Sequence, residues 1–125
     1  MIWLPSLEHI LLLHAELVRH SGGSIDVRDV GLVESALARA TAAFDGYELY
    51  PGIAEKAAAV CCGLVQNHGF VDGNKRIGVA TMLLILKRNH VDLHFATDDL
   101  VWLGLSVARG DIDIPQVIEW IDTHR

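Results

Sequence analysis

No stretch of this chain is apolar for long enough to cross a bilayer. The longest candidate, Ile77 to Leu86, sits between Arg76 and Lys87 and has ten residues, against the roughly 20 that a spanning helix needs. The opening residues, Met1-Ile2-Trp3-Leu4-Pro5, lack the basic start of a signal peptide. A cytoplasmic chain with no membrane association is therefore expected. Basic residues are scarce as well: ten Lys plus Arg stand against 16 Asp plus Glu, a net charge of −6. That argues against broad binding of a nucleic-acid backbone, which needs a basic face, and leaves room for a small, local anion site. Cysteine is limited to the adjacent pair Cys61-Cys62 in an apolar stretch, with no His or basic residue close in sequence to activate it. Buried thiols in a reducing compartment follow. Repeats, linkers and low-complexity tracts are absent too. The 125 residues suit one domain, 1–125. A domain of that size can bury roughly two thirds of its unfolded surface without a disulfide or metal staple.

What is present is helical periodicity. Leu7, Ile10, Leu11, His14, Leu17 and Val18 recur at helical spacing after Ser6, a plausible N-cap, and Gly22-Gly23 ends that helix. His14 falls on its apolar stripe and reads as a hydrogen-bonded core histidine. Ser24 to Val30 reads as a small extended flap, with Arg28 as a surface residue. A second helix is expected over Gly31–Ala40. Thr41 to Gly52 reads as a loop whose aromatics, Phe44, Tyr47 and Tyr50, plug beneath it. Ile53–Asn67 and Asn74–Arg88 form two further helices, apolar on nearly every face, which places them at the centre of a bundle. Val91 to Phe95 reads as extended. Thr97 is expected to cap a helix over Asp98–Arg109, ended by Gly110, and Pro115 lies in the first turn of a last helix. His90, Asp92 and His94 have a metal-like spacing, but in an extended stretch they share no helix face. The sum is an all-α bundle of about six helices with a short extended flap.

The polar segment joining the two buried helices is His68-Gly69-Phe70-Val71-Asp72-Gly73-Asn74-Lys75-Arg76. Gly73 and Asn74 open a helix whose first N–H groups lack intrahelical partners, an arrangement that binds anions. Lys75 and Arg76 add positive charge, and Arg can fork onto phosphate oxygens. Asp72 offers an oxygen to Mg²⁺, and His68 can take a proton near neutral pH. Phe70 is expected to point inward and pin the loop. On physics alone these residues fit either a phosphate site or an ordinary cap beside a solvated Lys–Arg pair. A P-loop is excluded, because there is no Gly-x4-Gly-Lys-Ser/Thr pattern.

The segment resembles the Fic/Doc signature, His-x-Phe-x-(Asp/Glu)-Gly-Asn-(Gly/Lys)-Arg. Lys75 at its eighth place is similar to the Doc (death-on-curing) branch rather than the Fic branch, which carries Gly there. The likeness extends through Gly22-Gly23, Arg28-Asp29, Gly31 to Ala38, Phe44, Leu49-Tyr50-Pro51, Glu55 to Ala58 and Val107 to Gly110. It implies a Fic/Doc bundle and a toxin of a type II toxin–antitoxin pair. The implied reaction is phosphorylation of a hydroxyl on a translation factor, elongation factor Tu, with ATP and Mg²⁺. His68 would be the general base, Asp72 the metal ligand, and Gly73, Asn74, Lys75 and Arg76 the phosphate binders. AMP transfer, as in the Fic branch, is the alternative; a catalytically silent binding protein is another, and the intact His68, Asp72 and Asn74 speak against it. Val79 stands where Fic-branch chains carry a second Arg. Gly69 replaces a common Pro, which should loosen the loop, and Ile77 replaces a common Thr. None of Glu8, Glu16, Glu34, Glu48, Glu55 and Glu119 is followed by Gly or Asn, so the inhibitory helix of many Fic proteins is missing. Inhibition is expected from a separate antitoxin whose flexible tail folds onto an apolar strip between helices.

Overall fold

The computed structural model describes all residues, 1–125. Six α-helices carry the chain: α1 (Leu7–Ser21), α2 (Val30–Ala38), α3 (Ile53–Asn67), α4 (Asn74–Arg88), α5 (Thr97–Ala108) and α6 (Ile114–Thr123). No helix is long and apolar enough to cross a membrane. The bounds of α3 and α4 are those the apolar pattern predicts. Ser6 caps α1, accepting from the His9 N–H while the His9 ring accepts from the Ser6 N–H. Asp113 caps α6, with Pro115 in its first turn.

α3 is the axis. It is buried from Lys56 through Val65 and touches α2, α4, α5 and α6. Small side chains at Ala57, Ala58 and Ala59 let these neighbours approach closely, and α4, which lies along it, also touches α1 and α5. Ile10, Leu64, Phe70, Ile77, Met82, Ile85, Leu103 and Ile121 fill one contiguous core. Each such side chain contributes about 2 kcal/mol of burial. Ile77 is fully buried, so the missing Thr hydroxyl is replaced by core packing.

Four local expectations need correction. The segment after α2 tightens into a 3-10 turn, Arg39–Thr41, so α2 stops two residues early. The following loop is a small antiparallel hairpin, β1 (Ala43–Phe44) and β2 (Tyr47–Glu48). Asp45 and Gly46 form its tip, both at positive φ, the conformation a tight Asp-Gly hairpin turn needs. Its aromatics are not plugs: Phe44 and Tyr47 are each 77% exposed, and only Tyr50 is half-buried. Buried Lys56 ties this hairpin to α3, donating from Nζ to the Ala40 carbonyl at 2.6 Å and to Glu48 at 3.0 Å. Thr97 does not cap α5: the helix starts at Thr97, behind Ala96, whose N–H donates to Asp99. Residues 91–96 pair in no strand, and the His94 N–H donates to the His124 carbonyl.

Cys61 and Cys62 are both buried and free. Burial pushes the Cys61 thiol well up, helped by Cys62. Burial, then the Asp113 carboxylate, pushes Cys62 up to about 12 from an ordinary 9.0. Unfolded thiols ionise near 9 while the folded ones stay neutral, so the folded state holds more protons above that pH. Stability contributed by these thiols is therefore present below pH 9 and lost as the pH rises toward 12. At pH 8 iodoacetamide should label the native chain only at its rate of unfolding, and label both thiols at once in urea. Fast labelling of the native chain would show the thiols to be accessible.

Candidate active site

The site is built where α3 ends and α4 begins. α3 stops because His68 adopts the left-handed conformation, φ 52 and ψ 48, a state His tolerates better than most residues. Its side chain is exposed. The last carbonyls of α3 find their partner in Arg28, which donates from Nε to the His68 oxygen at 2.7 Å and from Nη2 to the Asn67 oxygen at 3.3 Å. Arg28 is thus the side-chain cap of α3 rather than an idle surface residue. The sequence carries no local sign of this, since 40 residues separate the pair.

The flap packs against the loop, a contact the sequence did not announce. Val27 bridges Phe70 in antiparallel fashion, and the Val71 N–H donates to the Asp26 carbonyl. The Gly69 carbonyl accepts from both Arg28 and Asp29 N–H groups, at 2.8 and 2.9 Å. Gly69 is buried, and a Cβ there would lie 2.5 Å from Val33 Cγ2. The expected loosening is therefore corrected: Gly69 lets α2 sit directly on the loop, which is pinned.

Phe70 points inward and is 1% exposed. Its N–H donates to Asn74 Oδ1 and its carbonyl accepts from Asn74 Nδ2, at 3.1 and 3.0 Å. The Asn74 carboxamide thus closes the loop like a rung of a ladder and keeps one N–H free. Asp72 is exposed, and its Oδ2 accepts from the Ser24 N–H at 2.8 Å. His14 is the hydrogen-bonded core histidine expected: buried, with Nε2 2.7 Å from the Asp72 carbonyl oxygen.

Gly73 precedes α4 at φ 81, and a Cβ there would meet Val18 Cγ2 at 3.2 Å and His14 Nε2 at 3.3 Å. Only glycine combines that dihedral with that space. No carbonyl or side chain in the protein accepts from the N–H groups of Gly73, Asn74, Lys75 or Arg76. These four donors, at the positive end of a 15-residue helix, suit phosphate oxygens. Lys75 is exposed beside them. Arg76 donates from Nη1 to Ser21 Oγ and to the Gly22 carbonyl, which fastens the end of α1 to the start of α4. A carboxylate, four free donors and two cations in one loop fit a nucleotide phosphate with Mg²⁺. Asp72 could hold the metal against phosphate oxygens, as Mg²⁺ prefers.

An apolar groove leads away from this loop. It starts at Lys75 and Arg76 and runs between α1, α4 and α5 past Leu17, Val79, Leu83 and Val101. Ala80 and Leu83 also line a second hollow that continues to Leu13 and Phe95.

The Fic/DOC family profile matches residues 3–86, a span that contains α3, the loop and α4 as far as Leu86. Toxin Doc of Mycolicibacterium smegmatis is 40% identical over 98 residues, covering 77% of this chain and 75% of that protein. Protein kinase doc of Escherichia phage P1 is 30% identical over 112 residues, covering 90% and 87%. With Lys75 at the eighth place of the signature, the chain belongs to the Fic/Doc family, in its Doc branch.

Proposed function

We propose that the chain is the toxin of a type II toxin–antitoxin pair that phosphorylates a hydroxyl of a translation factor, elongation factor Tu, with ATP. The observation that carries this reading is the set of four unpartnered N–H groups from Gly73 to Arg76, set in one loop with Asp72 and the exposed His68. His68 takes the proton of the attacking hydroxyl, whose oxygen bonds the γ-phosphorus as the bond to the bridging oxygen breaks and ADP leaves. Asp72 would hold Mg²⁺, which would offset the charge of the phosphates. The main-chain donors and Lys75 stabilise the oxygens of the transferring group. Arg76 keeps α1 in register and presents Nη2 beside Gly73.

Phosphoryl rather than AMP transfer is favoured at two positions. Val79 is buried in the groove wall and offers no second clamp for a far phosphate. Lys75 fills the space that a glycine would leave along the helix start. A nucleotide reversed relative to the Fic pose then presents its γ-phosphate to the hydroxyl. The mass of the modified translation factor separates the two: addition of a phosphoryl group is expected, and addition of AMP would overturn the kinase reading.

The apolar groove is the proposed seat of the antitoxin tail. An amphipathic segment laid along it buries Leu83 and Val101 and ends beside Lys75 and Arg76.

A further inference from the structure

His14 lies on α1, 58 residues before Asp72, yet its ring is part of the loop's foundation. It is 1% exposed and stacks on Phe70, with ring centroids 3.7 Å apart and planes 16° from parallel. Its Nε2 is 2.7 Å from the Asp72 carbonyl oxygen. A carbonyl has no proton to give, so the ring is the donor and Nε2 carries the hydrogen. The Asp72–Gly73 peptide is planar and trans, so its C=O and N–H point in opposite directions. With the carbonyl turned inward onto His14, the Gly73 N–H is turned away from the core. That N–H is the first of the four donors without a partner. Gly73 sits at φ 81, and glycine tolerates both orientations of the peptide before it. Nothing else in the chain hydrogen-bonds that carbonyl.

We propose that His14 is a positioning residue: its Nε2–H fixes the Asp72–Gly73 peptide so that the Gly73 N–H faces a nucleotide phosphate. The inference rests on the phosphate-site reading above. His14 never touches the nucleotide. Without its donor the peptide rotates, and one of the four phosphate donors is lost while the rest of the site stays in place.

The test is a titration of the full chain with ATP and Mg²⁺, followed by backbone amide NMR. In the wild type the amides of Gly73, Asn74 and Lys75 should all shift. In His14→Leu, which keeps apolar packing and removes the donor, Asn74 and Lys75 should still shift. Gly73 should not, and ATP affinity should fall about tenfold, the worth of one good hydrogen bond. His14→Gln, whose amide N–H can reach the same carbonyl, should restore the Gly73 response. A purely structural role for His14 would move thermal stability without separating Gly73 from its neighbours. An unchanged Gly73 shift and affinity in His14→Leu would overturn the positioning role. If His14→Leu does not fold, the wild type decides: a Gly73 amide that ignores ATP while Asn74 and Lys75 respond overturns the proposal. Silence of all three amides overturns the phosphate-site reading, and the inference with it.

Discussion

Replacing His68 by Asn is expected to leave a folded chain that no longer arrests growth, with transfer slowed by roughly 10²–10⁴-fold, the usual worth of a general base. Asn is the informative choice because position 68 has φ 52. Ala would add a left-handed backbone penalty to the loss of the imidazole, whereas Asn visits that region readily. The cap on α3 survives, since Arg28 holds the main-chain carbonyl of residue 68 and not its ring. The side chain is exposed, so core packing is untouched. Thermal melting should therefore be nearly unchanged while toxicity on expression disappears. Retained toxicity in a soluble His68→Asn chain would remove His68 from the chemistry.

The second large effect concerns Gly69. A methyl group at this position would lie 2.5 Å from Val33 Cγ2, 3.1 Å from the Val33 nitrogen and 3.2 Å from the Asp29 oxygen. Two of those neighbours are main chain and cannot swing aside. Gly69→Ala must push α2 and the flap off the loop, at an overpacking cost of about 1–3 kcal/mol and a Tm lowered by roughly 5 °C or more. The Gly69 carbonyl, which accepts from Arg28 and Asp29, moves with it. Activity should fall more steeply than stability, because Arg28 also holds His68. Val33→Ala removes the nearest clash and should rescue part of the loss, so the double variant is less destabilised than the sum of the singles. Strict additivity would mean that Val33 is not what Gly69 accommodates.

These geometries mark where sequence reading succeeds and where it stops. α3 and α4 are legible to the residue because they are apolar almost all round and end at His68-Gly69, Gly73 and Asn89. The burial of His14 follows from its place on the apolar stripe of α1. The hairpin is not legible by alternation, as each strand has two residues. Asp45-Gly46 was the available sign. Its exposed Phe44 and Tyr47 run against the burial expected of aromatics, because a two-stranded ribbon has a face with nothing to cover it. The roles of Arg28 and Gly69 depend on how α2 and the flap come to rest on the loop, a tertiary fact with no local pattern. Asn74 is intermediate: the motif marks the residue, but only the fold reveals that most of its side chain is spent closing the loop on Phe70.

The proposed kinase activity is tested most directly by incubating the chain and Mg²⁺ with a cell extract and ATP labelled at either the γ- or the α-phosphate. γ-Label alone should pass to a translation factor, and none should pass with His68→Asn; transfer of α-label to that protein would contradict the kinase activity.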